Sequence, residues 1–473
     1  MAINKIWSSA SSVVADVADG SSVAIAGFGV GHRFPLTLIT ALRDHGAKNL
    51  CVVCNYLGAP GSQAQVLAEN NQVSKLIVSF SSRPRLSTAS ADQIAAGKIE
   101  LEMVPQGTLV ERLRAGGTGI AAFYTPVAAE TLLAEDKEVR HFDGIPHVLE
   151  HGLKVDVALI RAHRADPLGN LTFRGGSQNF NPSFAKAARL TIVEAEEIVE
   201  VGDLAPESVD LPGIFVDRVV QSEVALDHRR LAHPMKRGGE TKRTYDGKPA
   251  LSREEVAEVA AALVPDGSYI NLGTGIPSFV SDALSDRDVM LHAENGILGF
   301  GAVVDGTEAD PDYFNAGGNF VQVKPGASVF DSVESFEIAR SGRLDAIVLG
   351  AYQVDSSGAI ANWTTPGMIG GGIGGAMDLV SSRTTLIVTM EHLGSKGEPK
   401  LVEECTYPIT GRDCVDIVVT DLAVLRRVDG SFTLEAVCEG FTPDEVVNLT
   451  AMPLVVPPSV RTMQPRAGRG PVA

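Results

Sequence analysis

One pattern is written twice in this chain, and a chain that repeats itself at long range folds into two related units. Asp19-Gly-Ser-Ser-Val-Ala-Ile-Ala-Gly-Phe-Gly29 reads as a turn, a short apolar strand and a glycine loop. Asp266-Gly-Ser-Tyr-Ile-Asn-Leu-Gly-Thr-Gly275 repeats it 247 residues later. A second pair supports the duplication. Lys154-Val-Asp-Val-Ala-Leu-Ile followed by Asp166-Pro-Leu-Gly-Asn-Leu171 matches Arg343-Leu-Asp-Ala-Ile-Val-Leu followed by Asp355-Ser-Ser-Gly-Ala-Ile360. The offset there, Asp156 to Asp345, is 189, so the first half carries about 58 additional residues between the two matches.

Helical signals alternate with these strands. Residues 3–17 read as weakly helical. Residues 35–44 form a helix with Leu38 and Leu42 four apart and Gly46 past its end. Ser252 and Glu255 make a capping box, and Val256, Val259, Ala260 and Leu263 give the following helix one apolar face. Ile276, Val280 and Leu284 repeat that stripe. Strands alternating with helices in both halves predict an α/β fold: two related domains with largely parallel sheets and a cleft between them. The boundaries read as 1–228 and 250–456, joined by a linker at 229–249 and followed by a tail at 457–473. Residues 229–248 hold seven Lys or Arg against two acids, which suits an exposed connection. The tail is rich in Pro, Gly and Arg, with little to bury, and is expected to be poorly ordered.

Within the second half, Val289-Met-Leu-His-Ala-Glu-Asn-Gly296 places an apolar run against a turn. Glu294 therefore falls at the carboxyl end of a strand, the edge where open α/β sheets bind ligands. His292, two residues earlier, shares its face and reads as packed. Three glycine loops, at 27–31, 273–275 and 370–376, offer bare backbone N–H groups to an anion or a developing oxyanion. The last contains a literal GxGxxG but follows no clear buried strand, so it is a weak dinucleotide fingerprint. No Walker lysine accompanies any of them. His147-Val-Leu-Glu-His151 has zinc-peptidase spacing, yet Pro146 and Gly152 bracket it and the match reads as chance. Cys51 and Cys54 lack a second pair for a zinc site and read as part of a buried strand.

A formal charge of -18 and a pI near 5 argue against nucleic acid and anionic membranes as partners. Five cysteines imply no disulfide framework, and the N-terminus has no signal-peptide pattern, so a cytoplasmic location is expected.

The ordered set Pro105-Gln-Gly-Thr108, Ala122-Phe-Tyr-Thr125, Tyr269-Ile-Asn-Leu-Gly-Thr-Gly-Ile-Pro277, Glu294-Asn-Gly-Ile-Leu-Gly299, Gly374-Gly-Ala-Met-Asp-Leu379 and Val419-Thr-Asp-Leu-Ala423 resembles class I coenzyme A transferases. The match is strongest to the fused-subunit 3-oxoacid (succinyl-CoA) type and runs from about residue 20 to 455. The resemblance implies that Glu294 is the catalytic glutamate, that Gln106 binds the oxyanion, and that Gly375 and Ala376 are backbone donors there. It places Asn271 near the reacting acyl group, and Asn55 where the family often has SNNAG. The chain departs from the family at Gly27-Phe-Gly-Val-Gly-His-Arg-Phe-Pro35, which is longer and charged. It departs again at Asn315-Ala-Gly-Gly318, where a lysine often follows. The implied reaction moves CoA from an acyl-CoA, succinyl-CoA or another short one, to a short carboxylic or 3-oxo acid. Its kinetics are ping-pong, through an acyl-glutamyl anhydride and a glutamyl-CoA thioester. The alternative is an acyl-CoA hydrolase or a ring-opening hydrolase on the same scaffold. Coenzyme A is then a substrate, no cofactor or metal is expected, and a homodimer or homotetramer is the expected assembly.

Overall fold

The computed structural model describes residues 3–28, 33–81, 88–224, 242–304 and 309–465. Each half builds its own sheet around the repeated strand. In the first half, β1 (Ser22–Ile25), β2 (Leu50–Tyr56), β3 (Val73–Phe80), β4 (Glu100–Met103), β5 (Val155–Ala165), β6 (Ala188–Ile198) and β7 (Arg218–Gln221) lie in the order β7-β6-β5-β1-β2-β3-β4. All six of these neighbouring pairs are parallel. In the second half, β8 (Ser268–Leu272) takes the place of β1. It stands between β9 (Val289–Ala293) and β12 (Ala346–Gly350), and β13 (Thr385–Met390) and β14 (Ile417–Thr420) follow in parallel.

The two sheets part company at their flanks. Past β9, the strands β10 (Ile297–Val303) and β11 (Val321–Val329) run antiparallel. Past β14, β15 (Ala423–Val428) and β16 (Ser431–Val437) do the same. Part of the first half's extra length is a separate three-stranded sheet, Ala122–Thr125, Ile145–His151 and Val139–Phe142.

The helices follow the apolar stripes. α1 (Leu36–His45) buries Leu38 and Leu42 and ends at Gly46, whose φ of 83° suits a left-handed cap. α2 (Gln106–Thr118) follows β4. α3 (Arg253–Ala262) starts on the Ser252–Glu255 capping box, with both reciprocal bonds made. α4 (Pro277–Ala283) carries the buried Val280, flanked by Ile276 and Leu284. One apolar core runs through both halves, from Ala24 and Phe28 to Leu272, Phe336 and Val388. The opposite face of the first sheet has its own core around Leu38, Val52 and Leu76.

Three local expectations change, and the 147–151 spacing, read as chance, falls on a strand. Within 3–17 only Ala10–Val13 is helical, because Ile6 instead bridges to Val219 at the edge of the first sheet. The span 229–241 lies outside the described residues. Just after it, Thr244–Tyr245 and Lys248–Pro249 pair as a hairpin whose Tyr245 hydroxyl donates to Asp421 at 2.8 Å. The tail expected to have little to bury adds a strand, β17 (Arg461–Thr462), against β16 and buries Met463; residues 466–473 lie outside the described residues. His147 and His151 sit on an extended strand, not a helix, so their backbones stand roughly 13 Å apart, too far to share an ion.

Candidate active site

Glu294 is the first residue past β9, and the chain reverses at once through Asn295 and Gly296 into β10. The turn is tight. Gly296 has a φ of 100°, and a Cβ there would stand 2.0 Å from the Phe330 carbonyl oxygen. Its N–H donates to the Ala293 carbonyl at 3.0 Å, and Asn295 Nδ2 donates to the Phe314 carbonyl at 2.8 Å. The carboxylate this turn presents is 6% exposed, and its Oε2 is buried with no hydrogen-bond partner. Burial, against the pull of its own backbone N–H and helped by the charge of Asp378, pushes its pKa up to about 7.

Asp378 is given no role of its own by the Gly374–Leu379 motif that contains it. It lies in the short helix α5 (Ala376–Val380) that the glycine run 370–375 leads into, and it is fully buried. Burial raises its pKa to about 6 despite Arg340 at 3.2 Å and the Gly107 N–H at 3.0 Å. The Gly107 bond ties the second half to the start of α2 in the first. Three more backbone bonds continue the seam: Gln106 N–H to the Gly374 carbonyl (3.0 Å), Ser81 N–H to the Gly371 carbonyl (2.9 Å), and Ile373 N–H to the Ser79 carbonyl (2.9 Å).

The seam brings the expected residues together. Gln106, at the first position of α2, is buried, and its Nε2 donates to Asn55 Oδ1 at 2.8 Å. Asn55 lies near the end of β2, and its own Nδ2 is buried without a partner. Gly375 packs directly on the glutamate: a Cβ there would stand 3.0 Å from Glu294 Cγ and 2.9 Å from the Phe336 ring. The N–H groups of Gly375 and Ala376 belong to the N-terminus of α5, where helix geometry supplies no internal acceptor. Asn55, Gln106, Glu294, Gly375 and Ala376 all line one cavity of about 870 Å³ between the halves. Asn271 does not line it. It is fully buried on β8, with its Nδ2 3.0 Å from His292 Nδ1 and its Oδ1 unpartnered. His292 is a packed residue, held also by Ser335 at 3.1 Å, and burial lowers its pKa to about 3.

The cavity wall on the first half's side is aromatic, with Phe28, Tyr56 and Phe80, and Trp363 and Met368 come from the second half. Of the glycine loop at 27–31, residues 29–31 lie outside the described residues. The charge in that loop, Arg33, has a structural role: its Nε donates to Asp312 Oδ1 at 2.8 Å across the two halves, with both groups buried. Cys51 and Cys54 lie on β2 as free thiols. Among the described residues no helix is long and apolar enough to cross a membrane.

Comparison with known proteins agrees with this geometry. The family model described as "Coenzyme A transferase" matches residues 8–222 and 253–449. The mouse mitochondrial succinyl-CoA:3-ketoacid coenzyme A transferase 2A is 40% identical over 479 residues, which is 95% of this chain and 89% of the mouse protein. The human mitochondrial succinyl-CoA:3-ketoacid coenzyme A transferase 2 is 39% identical, over 97% of this chain and 92% of the human one. Among solved structures, the apoenzyme of the acyl-CoA transferase YdiF from Escherichia coli O157:H7 superposes with a TM-score of 0.80. It covers 98% of this chain and 96% of its own at 21% identity, and so shares the fold. The mouse and human relatives overturn the expectation of a cytoplasmic location, since both are mitochondrial proteins. That expectation rested on the absence of a targeting pattern at the N-terminus, which carries no positive information about compartment.

Proposed function

The chain belongs to the coenzyme A transferase family, and from that premise we propose that it moves CoA from succinyl-CoA, or a similarly short acyl-CoA, to a 3-oxo acid, with Glu294 as the covalent nucleophile. The observation that carries this reading is the meeting of Glu294 with Gly375, Ala376 and Gln106 in one cavity, with the carboxylate buried and unpartnered at Oε2. The succinyl and 3-oxo specificity is argued from the mouse and human relatives that span nearly the whole chain.

A Glu294 oxygen attacks the acyl-CoA carbonyl. The C–S bond breaks, CoA leaves as thiolate, and a mixed anhydride joins the acyl group to Glu294. The thiolate then attacks Cδ of Glu294, the anhydride C–O bond breaks, and the first acid departs as a carboxylate. The resulting glutamyl-CoA thioester is attacked by the second acid, which expels the thiolate and forms a second anhydride. Thiolate attack on the acceptor's acyl carbon then yields the new acyl-CoA and restores the Glu294 carboxylate. No proton is gained or lost over the cycle.

A carboxylate is a weak nucleophile, and burial serves it in two ways. It strips the oxygen of hydration, and it keeps water from the anhydride. The tetrahedral oxyanion needs preorganised donors. Asn55 takes one N–H of the Gln106 amide, which leaves the other to point into the cavity alongside the Gly375 and Ala376 N–H groups. The test is mass spectrometry after incubation with succinyl-CoA and no acceptor acid. A CoA adduct on the peptide carrying Glu294 is expected. Steady release of CoA and succinate without an adduct would mean hydrolysis and overturn the proposal.

A further inference from the structure

α2 begins without a cap of its own. Pro105 stands at its N-cap and makes no side-chain capping bond, and the first turn holds no acid. The N–H groups at a helix start have no partners within the helix, and each needs an acceptor when buried. Gln106 and Gly107, the first two residues of α2, are both buried. Their acceptors come from the second half. The Gln106 N–H donates to the Gly374 carbonyl at 3.0 Å, and the Gly107 N–H donates to Asp378 Oδ2 at 3.0 Å.

Gly107 is what lets the carboxylate come so close. A Cβ there would stand 2.0 Å from Asp378 Oδ1 and 2.7 Å from Arg340 Nη1. Arg340, the last residue of the helix Ser332–Arg340, donates to Asp378 Oδ1 at 3.2 Å and reaches Glu111, further along α2, at 3.7 Å. Burial works against the Asp378 charge, and the Arg340 guanidinium and the Gly107 N–H work for it. That charge also complements the positive end of the α2 dipole. The Gln106 side chain is thus held at both ends. Asn55 Oδ1 fixes its tip, and Gly374 and Asp378 fix its base. Gly374 and Asp378 also bracket Gly375 and Ala376 in the chain. One short segment therefore sets the donor from the first half against the donors from the second.

We propose that Asp378 is a positioning residue for the transfer reaction: it caps α2 from the opposite half and so sets the Gln106 amide at the oxyanion. Asp378 itself does not line the cavity. This rests on the reading of Gln106 as an oxyanion donor. Without the Asp378 oxygen the Gly107 N–H is buried and unpaired, the first turn of α2 loosens, and the Gln106 amide drifts from its place. The walls that hold the acyl-CoA stay where they are.

Steady-state kinetics with succinyl-CoA test this in wild type, Asp378→Ala, Asp378→Asn, Gln106→Ala and the Gln106→Ala/Asp378→Ala pair. The assays run well above pH 7, where Glu294 is ionised throughout. Asp378→Ala is expected to lower kcat by up to about a hundredfold, the cost of roughly an ångström of misplacement, with KM little changed. Asp378→Asn removes the same charge but keeps an acceptor, so it recovers most of that kcat. On top of Gln106→Ala, Asp378→Ala should cost little more, because residues that act as a unit are not additive. Hydrogen exchange in the peptide carrying Gly107 should quicken in Asp378→Ala and not in Asp378→Asn. An equal loss from Asp378→Ala with and without Gln106 overturns the proposal, as does a failure of Asn to recover kcat or an unchanged exchange rate. Thermal unfolding shows which variants fold. If Asp378→Ala does not, Asp378→Ser replaces it, since its oxygen stops short of the Gly107 N–H. An unchanged kcat in Gln106→Ala alone defeats the oxyanion reading and this role with it. The exchange difference involves no chemistry and would still mark Asp378 as the cap.

Discussion

Asn55 and Glu294 occupy the same place in the two halves. Ala24 of β1 pairs with Val53 of β2, and Asn271 of β8, 247 residues after Ala24, pairs with His292 of β9. Asn55 and Glu294 each lie two residues further on, at the same edge of their sheets. What separates them is the next strand. After β2 the chain wanders through 57–64, turns through a five-residue helix, Gln65–Glu69, and returns in parallel as β3. After β9 it doubles back within three residues as the antiparallel β10. The hairpin grips the side chain at its apex and seals it in, so a carboxylate placed there loses its water. The open crossover leaves room for α2 to bring Gln106 against Asn55. Under the proposed mechanism, the same strand edge carries the nucleophile in one half and a positioner of a hydrogen-bond donor in the other.

The largest effect expected from breaking this asymmetry is at Glu294. Glu294→Gln should lower transfer by at least about 10⁴-fold, since no neighbouring group can take over the covalent step. The same variant should be more stable than wild type at pH 8. A carboxyl whose folded pKa lies near 7 contributes stability below its unfolded value of about 4.5, and that contribution is lost as pH rises through 7. At pH 8 the deficit is about 3 kcal/mol, and the substitution removes it. Thermal unfolding should show the gap at pH 8 and its closure near pH 4.5; a variant less stable at both would contradict the burial argument.

Gln106→Ala should reduce kcat by about 10²–10³-fold if its amide meets the oxyanion. Asn55→Ala releases that amide without deleting it, so a smaller loss of about fivefold in kcat is expected. A loss at Asn55 as large as at Gln106 would make Asn55 a direct substrate contact. The smallest change belongs to Asp378. Because only the ionised glutamate attacks, kcat/KM should rise with pH through about 7 in wild type, falling tenfold per unit below it. Asp378→Asn keeps an acceptor for the Gly107 N–H and removes a like charge, so the midpoint should move down. A midpoint that stays or rises would remove Asp378 from the account.

Much of this was legible in the sequence, because local pattern carries it. The doubled strand and loop, the Ser252–Glu255 cap, the α1 stripe with its Gly46 stop, and Glu294 at a strand end all follow from neighbours in the chain. The direction of β10 was not legible, since an apolar run looks alike whether it returns by hairpin or crossover. The role of Asp378 was missed for a related reason. It is one charge among many locally, and only the packing of α5 on α2 buries it next to the cavity. Arg33 looked like an intrusion into a glycine loop until Asp312, nearly three hundred residues away, came to meet it.

The stitched run at 370–375 has one more consequence. Its carbonyls and amides are shared with Ser79, Ser81 and Gln106, so the backbone donors beside Glu294 exist only while the halves are docked. Turnover is therefore a gauge of docking. In a denaturant titration, activity should vanish while ellipticity still reports two intact sheets, and the gap between the two curves measures how much less it takes to part the halves than to melt them.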